Sequence, residues 1–358
     1  SNLIGTPQNS TVQIDYYNFI SQSGKIELGA KAFKRWNSSN TNFFNFDTLI
    51  QNWTLSEDLS NNLVLNEHIF SAYAMYSDTL LKKIFYKIGS RMEYNKSILE
   101  QTNQPIPVSS ENLVPLPFLL LKYTLKNTQN ISLSFNRRIK RPGNRQLNTN
   151  ITVIDQSTYE TGNKYLKPEL IDKIELSHGY VKNKINIRTT GYYEITSDNI
   201  TQVSLNTNDK LVITYVNGES SSKLGAEIDV QYKPTKLITI NPSFSAFYSK
   251  TKGTYDNLNL NTSRPSWATN LKTSLKIDSK TDVQLLLIYN SPLSIPQFDV
   301  SEVYYADLAI KRNFLQNKLS ARISVTDIFN TQNREVYSYN SNYLLINNSK
   351  QESRILWL

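Results

Sequence analysis

Cysteine is missing from this sequence altogether. That removes disulfide scaffolds, thiolate-bound zinc and thiol nucleophiles together, and is compatible with an envelope compartment in which stray thiols would oxidise. Histidine is scarce: only His68 and His178 occur. His68 follows Glu67, but no second histidine lies four residues away, so the zinc-protease arrangement fails. His178 shares an apolar face with Ile174, Leu176 and Tyr180, the surroundings of an interface rather than of a nucleophile. A Gly-rich phosphate loop, a Gly-x-Ser-x-Gly elbow and a calcium-loop spacing are all absent. The expectation is a protein with no catalytic residues, no cofactor and no metal, and therefore not an enzyme.

Long apolar runs are lacking too. A membrane-spanning helix needs roughly 18 apolar residues, and the longest candidate, Leu113 to Leu121, is about half that and contains Pro115 and Pro117, so helical spans are excluded. The opening residues Ser1, Asn2, Leu3, Ile4 and Gly5 carry no basic region, apolar core or small-residue cleavage site, so an export signal is expected upstream or already removed. Acidic residues are fewer than basic ones, and the formal charge is +9. The basic residues are scattered, however, with one local cluster at Arg137, Arg138, Lys140 and Arg141. Without a continuous stripe, nucleic acid is not an expected partner.

What the chain does contain is alternation. Ile84, Tyr86, Ile88, Met92 and Tyr94 alternate with Phe85, Lys87, Gly89, Arg91 and Glu93. Ile185, Ile187, Thr189, Gly191, Tyr193 and Ile195 alternate with Asn186, Arg188, Thr190, Tyr192 and Glu194. Leu224, Ala226, Ile228, Val230 and Tyr232 oppose Gly225, Glu227, Asp229 and Gln231, and Leu319, Ala321, Ile323 and Val325 oppose Ser320, Arg322, Ser324 and Thr326. Period-two patterning is the mark of strands with one apolar face. The apolar face avoids charge, whereas the other carries Lys87, Arg91, Glu93, Arg188, Glu194, Glu227, Asp229 and Arg322. In a transmembrane barrel a cation turned to lipid at the midplane costs roughly 2–4 kcal/mol, so those eight are the lumen-facing candidates. A soluble sandwich would segregate charge as well, and alternation alone leaves both open.

Connection lengths separate the two. Short links fall at Ser21 to Lys25, Ser77 to Lys83, Lys126 to Asn130, Val181 to Lys184, Lys233 to Lys236, Asp278 to Asp282 and Asn313 to Asn317. Between them lie long polar links: Asn37 to Leu63, Asn95 to Pro115, Ile139 to Ile171, Ser197 to Ser222, Ser249 to Ser266, Asn290 to Glu302 and Asp327 to Glu352. Strict alternation of short and long is the rhythm of an outer-membrane barrel with tight periplasmic turns and longer extracellular loops, which Greek-key sandwiches do not enforce. Aromatics near strand ends (Trp36, Tyr94, Tyr123, Tyr180, Tyr193, Tyr232, Tyr248, Trp267, Tyr289) fit interfacial girdles. The pattern predicts seven hairpins and a last strand from Ser353 to Leu358. That makes about fifteen strands, an odd number where single-chain bacterial barrels use even ones, so one or more are expected to be missing. The link Ser197 to Ser222 offers two further short strands, Ile200 to Leu205 and Leu211 to Val216.

Three blocks in order carry a family likeness: Phe135-Asn-Arg-Arg-Ile-Lys-Arg-Pro142, Gln146-Leu-Asn148 and Gly162-Asn-Lys-Tyr-Leu-Lys-Pro-Glu169. They resemble the signature of TonB-dependent-receptor-like outer-membrane β-barrel proteins of the Bacteroidota type. Gly89 to Glu93, Gly225 to Glu227, Asp307, and Val325-Thr-Asp-Ile-Phe-Asn330 agree with it, while Thr149 and Lys164 stand where proline is usual. The resemblance covers nearly the whole chain. It implies an all-β, antiparallel up-and-down transmembrane barrel of roughly 22 strands around a plug. Residues 1–358 would be its C-terminal portion, one partial barrel domain of about 15–16 strands without plug or first strands, ending part-way through the closing strand at Arg354-Ile-Leu-Trp-Leu358. It further implies a receptor or transporter of the cell outer membrane, bathed in outer-membrane lipid, binding an external ligand and using a TonB-type energy-coupling protein, with a surface lipoprotein as a further partner. An outer-membrane barrel with a structural or secretion role, and a soluble β-rich binding module, are the alternatives.

The motif residues Arg137, Arg138, Arg141, Pro142, Leu147, Asn148, Gly162, Asn163, Leu166, Lys167, Pro168 and Glu169 are expected to build the rim and its loop rather than to touch ligand. The basic cluster would pair with Glu169 or Glu175 across the strands, Pro142 and Pro168 would restrict the loop's two ends, and Gly162 would supply a backbone conformation closed to other residues.

Overall fold

A computed structural model describes residues 2–57, 60–102, 104–207, 210–256, 258–339 and 344–358; Ser1 and parts of five of the expected long links lie outside the described residues. Fifteen strands pair in chain order into one antiparallel sheet. They are β1 (Asn2–Phe19), β2 (Lys25–Asn42), β3 (Asn61–Leu80), β4 (Ile84–Gln101), β5 (Gln104–Lys126), β6 (Gln129–Lys140), β7 (Glu169–Lys182), β8 (Ile185–Ser197), β9 (Ser220–Tyr232), β10 (Ile238–Lys252), β11 (Thr262–Lys276), β12 (Thr281–Asn290), β13 (Val303–Phe314), β14 (Leu319–Val325) and β15 (Leu356–Trp357). Tight turns close every odd–even pair from β1–β2 to β13–β14, at each place where the sequence has a short link. Glycine being scarce, Leu81, Lys82 and Asn183 take left-handed backbone in these turns, with φ of 52°, 59° and 51°. That conformation is strained for Leu and Lys but matches the twist of the flanking strands.

The long links fold into small sheets of their own. Phe44–Asp47 pairs with Asn52–Leu55, and Thr254–Tyr255 with Leu258–Asn259. The two short strands expected after β8 form at Ile200–Thr207 and Lys210–Asn217, and they join Thr158–Glu160 and Thr152–Val153 in a four-stranded sheet. Leu293–Ile295, Phe298–Val300, Arg334–Tyr339 and Leu344–Ser349 make a second one.

Three expectations are corrected. The link Asn95 to Pro115 is not a long loop: β4 continues to Gln101 and β5 begins at Gln104, so the alternation of short and long links breaks here. Proline and serine made this stretch read as a loop. Yet β5 has 23 residues and β6 only 12, so the Pro105–Pro107 end outruns its neighbour and needs no ladder hydrogen bonds on that side. Likewise β2 and β3 run on to Asn42 and back from Asn61, and β10 and β11 to Lys252 and from Thr262, so those links are shorter than polarity implied. The last strand is only Leu356–Trp357.

By contacts the chain divides into two compact units, Ser1–Leu121 with Phe135–Asp172 and Thr196–Glu219, and Lys122–Ser134 with Lys173–Ile195 and Ser220–Leu358. In the first, a small apolar core of Leu63, Leu65, Leu99, Leu147 and Leu166 lies where the loop after β6 folds back onto β3 and β4.

Candidate functional site: two faces of the sheet and a loop folded onto one of them

Exposure separates the two faces of the sheet in the first unit against the habit of a water-soluble protein. Ile88, Met92 and Tyr94 on the apolar face of β4 are 53%, 43% and 36% exposed, whereas Glu67 and Glu93 on the other face are each 4% exposed; in the second unit Leu224 and Ile228 are bare, and Arg188 and Asp229 of the other face are exposed too. Aromatics tile the apolar face of the second unit: Trp267 stacks on Tyr289 at 4.6 Å, Phe244 lies 6.0 Å from Trp267, and Tyr304 lies 6.4 Å from Tyr289.

The charged face of the first unit is neutralised pair by pair. Arg35 on β2 stands directly across from Glu67 on β3, with a guanidinium nitrogen 2.5 Å from the carboxylate. Lys87 pairs with Glu27. Glu93 accepts from Arg91 at 2.5 Å and from Arg141, which reaches it from beyond β6. Two guanidinium groups thus meet over one buried carboxylate. Arg137 forks onto Asp172 through two hydrogen bonds of 2.7 and 2.8 Å, a bidentate geometry that fixes orientation as well as charge. Lys140 lies 2.6 Å from Glu169. Glu169 is therefore one partner of the basic cluster, while Asp172 and Glu93 are partners the sequence reading missed, and Glu175 pairs with Lys173 at 2.8 Å instead. Arg138 is exposed.

Motif residues build the loop that covers this face. Pro142, Leu147, Leu166 and Pro168 roof a cavity of about 40 Å³ whose floor includes Leu65, Glu67, Asn95 and Leu99; that is room for a few waters, not for a nutrient. Gly143 caps a one-turn helix, Asn144–Leu147. Gly162 N–H donates to the Asn148 carbonyl and Asn163 N–H to the Gln146 carbonyl, both at 2.7 Å. The expected special backbone at Gly162 is corrected, since Gly253 is the one described glycine with positive φ. Gly162 is needed for closeness: a Cβ there would sit 2.5 Å from the Asn148 carbonyl oxygen. The loop is then tied to the hairpin after β8. Asn163 Nδ2 donates to the Tyr215 carbonyl at 3.0 Å, Lys167 N–H to Asn217 Oδ1 at 2.9 Å, and Ile200 N–H to Glu169 Oε1 at 2.7 Å. Thr158–Glu160 pairs in parallel with Leu211–Ile213, a contact about fifty residues apart that local pattern does not signal.

The eight lumen-facing candidates are divided between the two units. Lys87, Arg91 and Glu93 belong to the first unit and the other five to the second. Arg188 and Asp229 line an open polar basin of about 470 Å³ with Gln231, Asn241, Asn270 and Lys272. Glu227 stands across from Ser245, Glu194 is half-buried on β8, and Arg322 is exposed opposite Lys311, whose other cross-strand neighbour is Asp282. Among the described residues no three His, Asp or Glu side chains gather closely enough to hold a metal ion.

Asp327, in the Val325–Asn330 block after β14, is fully buried. Burial pushes its carboxyl pKa up, but hydrogen bonds from the Ser353 hydroxyl and the Thr331 and Gln332 N–H groups, with Lys350 nearby, outweigh it and hold the group below its ordinary 3.8. A depressed pKa contributes stability that is complete above the ordinary value and drains as pH falls through the folded-state value. Asp327→Asn is expected to lower stability by about 1–2 kcal/mol at neutral pH and to remove part of the loss that the parent suffers below about pH 4. Urea midpoints of both proteins at pH 7 and pH 3 measure this; parallel losses on acidification would contradict it.

A family model described as outer membrane protein beta-barrel family matches residues 1–358. No protein of curated function matches the chain. Among solved structures, the siderophore receptor PiuA from Acinetobacter baumannii is 12% identical, with a TM-score of 0.70 over 99% of this chain and 56% of that one. The ferric yersiniabactin uptake receptor FyuA from Yersinia pestis is 13% identical, with a TM-score of 0.62 over 98% and 54%. The ferric citrate transporter FecA in its unliganded form is 15% identical, with a TM-score of 0.64 over 99% and 54%. The chain spans about half the length of these structures, and at such identities the likeness is one of fold.

Proposed function

The chain belongs to the outer membrane protein beta-barrel family and so resides in the cell outer membrane, and from that premise we propose that it forms the barrel wall of a receptor or transporter that captures an external ligand at its long-loop end and passes it along the charged face. The observation that carries this reading is the inverted exposure of the two faces in the first unit, with Ile88 and Met92 bare and Glu67 and Glu93 buried among their partners. Bare apolar side chains are stable against hydrocarbon, and paired or hydrated charges are stable around an aqueous interior. Loops that form their own hydrogen-bonded sheets, as the segments around Thr158–Glu160 and Ile200–Asn217 do, offer an ordered capture surface. Energy for passage comes from a periplasmic partner of the TonB type, as the motif resemblance implies. The ligand belongs to the nutrients that such barrels take up: iron chelates, vitamins, glycans or peptides.

Placement of the faces is open to a clean test because the chain has no cysteine. With single cysteines at Ile228 and Glu227, a membrane-partitioning thiol reagent is expected to label Ile228→Cys at least tenfold faster, and a membrane-impermeant one to reverse the order. Equal labelling by both reagents would reject the barrel wall. Uptake is tested in cells: loss of the gene should slow growth when one of the four nutrient classes is limiting and only a receptor can supply it. Unaltered growth on all four would refute transport while leaving the wall intact.

A further inference from the structure

The apolar face of the first unit is interrupted by one basic row. Lys34 on β2, His68 on β3 and Lys96 on β4 are direct cross-strand partners, and Ser10 of β1 continues the row. Direct partners in an antiparallel ladder point to the same side, and the next row toward the tight turns is Val12, Ala32, Phe70 and Tyr94. Below the basic row lies an apolar trough of about 420 Å³, floored by Ala30, Ala32 and Ala72 and walled by Ile14, Phe70 and Met92. Three alanines between larger side chains leave a channel open along the sheet.

The level of this row is informative. From Ile84, where β4 leaves its tight turn, to Tyr94 is ten residues. That is about 33 Å of strand and, at a tilt of about 40°, about 25 Å of depth, the height of the apolar band of such barrels. Lys96 is the next residue on that face, so the row stands at the far edge of the hydrocarbon, on the side of the long loops. Here phosphate groups sit and cations are favoured. Lys34 has no ion pair among the described residues. Lys96 is 2.7 Å from Glu111, both about half exposed, a pairing weak enough to share with another anion. The next carboxylate on the face, Glu100, lies two rows farther out.

We infer that the Lys34–His68–Lys96 row and the alanine trough beneath it form a binding site for an acyl lipid with an anionic phosphate headgroup in the leaflet on the long-loop side. Lys34 and Lys96 Nζ groups donate to phosphate oxygens, with the His68 imidazole between them, and one acyl chain fills the trough. This rests on the reading that the apolar face meets lipid.

Native mass spectrometry of the purified full chain, released from detergent in the presence of phosphatidylglycerol or of phosphatidylcholine with the same chains, tests it. Phosphatidylglycerol is expected to be retained about tenfold better, and the Lys34→Gln, Lys96→Gln double variant to lose that preference. Lys272→Gln, on the charged face of the second unit, should keep it. Equal retention of the two lipids by the parent, an unaltered preference in the double variant, or binding of inorganic phosphate as tight as that of the lipid would each overturn the site. A fluorophore on Ile14→Cys, quenched by brominated acyl chains, reports lipid contact separately. Quenching without headgroup preference defeats this inference alone, and absence of quenching defeats the reading of the apolar face with it.

Discussion

Replacing Gly162 with alanine is expected to unseat the loop of residues 141–168 while leaving the strands paired. The added methyl group would meet three backbone carbonyl oxygens, those of Asn148, Gln146 and Arg145, at 2.5, 2.7 and 2.8 Å. Backbone oxygens cannot rotate away as a flexible side chain can. Two of them also accept the hydrogen bonds from Gly162 and Asn163, so any retreat that relieves the clash lengthens the bonds holding the loop down. Overpacking against backbone belongs at the upper end of its usual range, about 3 kcal/mol, which corresponds to about a hundredfold rise in the open population. Protease cleavage between Asn148 and Leu166 on whole cells should accelerate accordingly, with the heat-modifiable band on semi-native gels retained. Cleavage at the parental rate would mean that the loop has another way to accommodate the methyl group.

Glu93→Ala should act on the wall itself. The Glu93 side chain is 5% exposed and is flanked by Arg91 and Arg141, with exposures of 37% and 18%. Removing one partner of a buried ionic cluster leaves uncompensated charge and commonly costs about 3–5 kcal/mol. Arg91 can turn to water, which puts the expectation at about 3 kcal/mol, while Arg141 loses the carboxylate it pairs with and its loop loosens. Lys140→Gln is the contrast: Lys140 is 64% exposed, and a surface pair of that kind is worth less than about 1 kcal/mol. Urea unfolding in lipid vesicles gives both values, and a Glu93→Ala midpoint no lower than that of Lys140→Gln would contradict the cluster's role.

Much of the wall was legible from sequence because a strand's two faces are written in alternate residues and a tight turn is short whatever its composition. Ile84 to Tyr94 and Leu224 to Tyr232 lie where the period-two pattern puts them. The long ends were harder. Beyond the hydrocarbon the outer face of a strand meets water and the other is covered by loop residues of mixed polarity, so Asn37 to Asn42 and Asn95 to Gln101 carry no apolar alternation in sequence and resemble loops while still pairing. The site was legible only in part. Blocks from Arg137 to Glu169 drew notice as motif, but their partners, Asp172 on the neighbouring β7 and Glu93 on β4, reached by the loop after β6, are set by strand register and loop path, which spacing along the chain does not encode. The role of Gly162 was misjudged for a related reason, since crowding by Asn148, Gln146 and Arg145 is a property of the folded loop.

Paired strand carries on well past the level of Lys96. With 20 residues in β3 and a tilt of about 40°, the ladder reaches about 50 Å, roughly twice the greasy layer it crosses. These strands of the first unit thus stay a stiff, paired wall well clear of the headgroups. For the proposed capture of a solute at that end, the scaffolding would be set beforehand, and little chain freedom would be forfeited on binding.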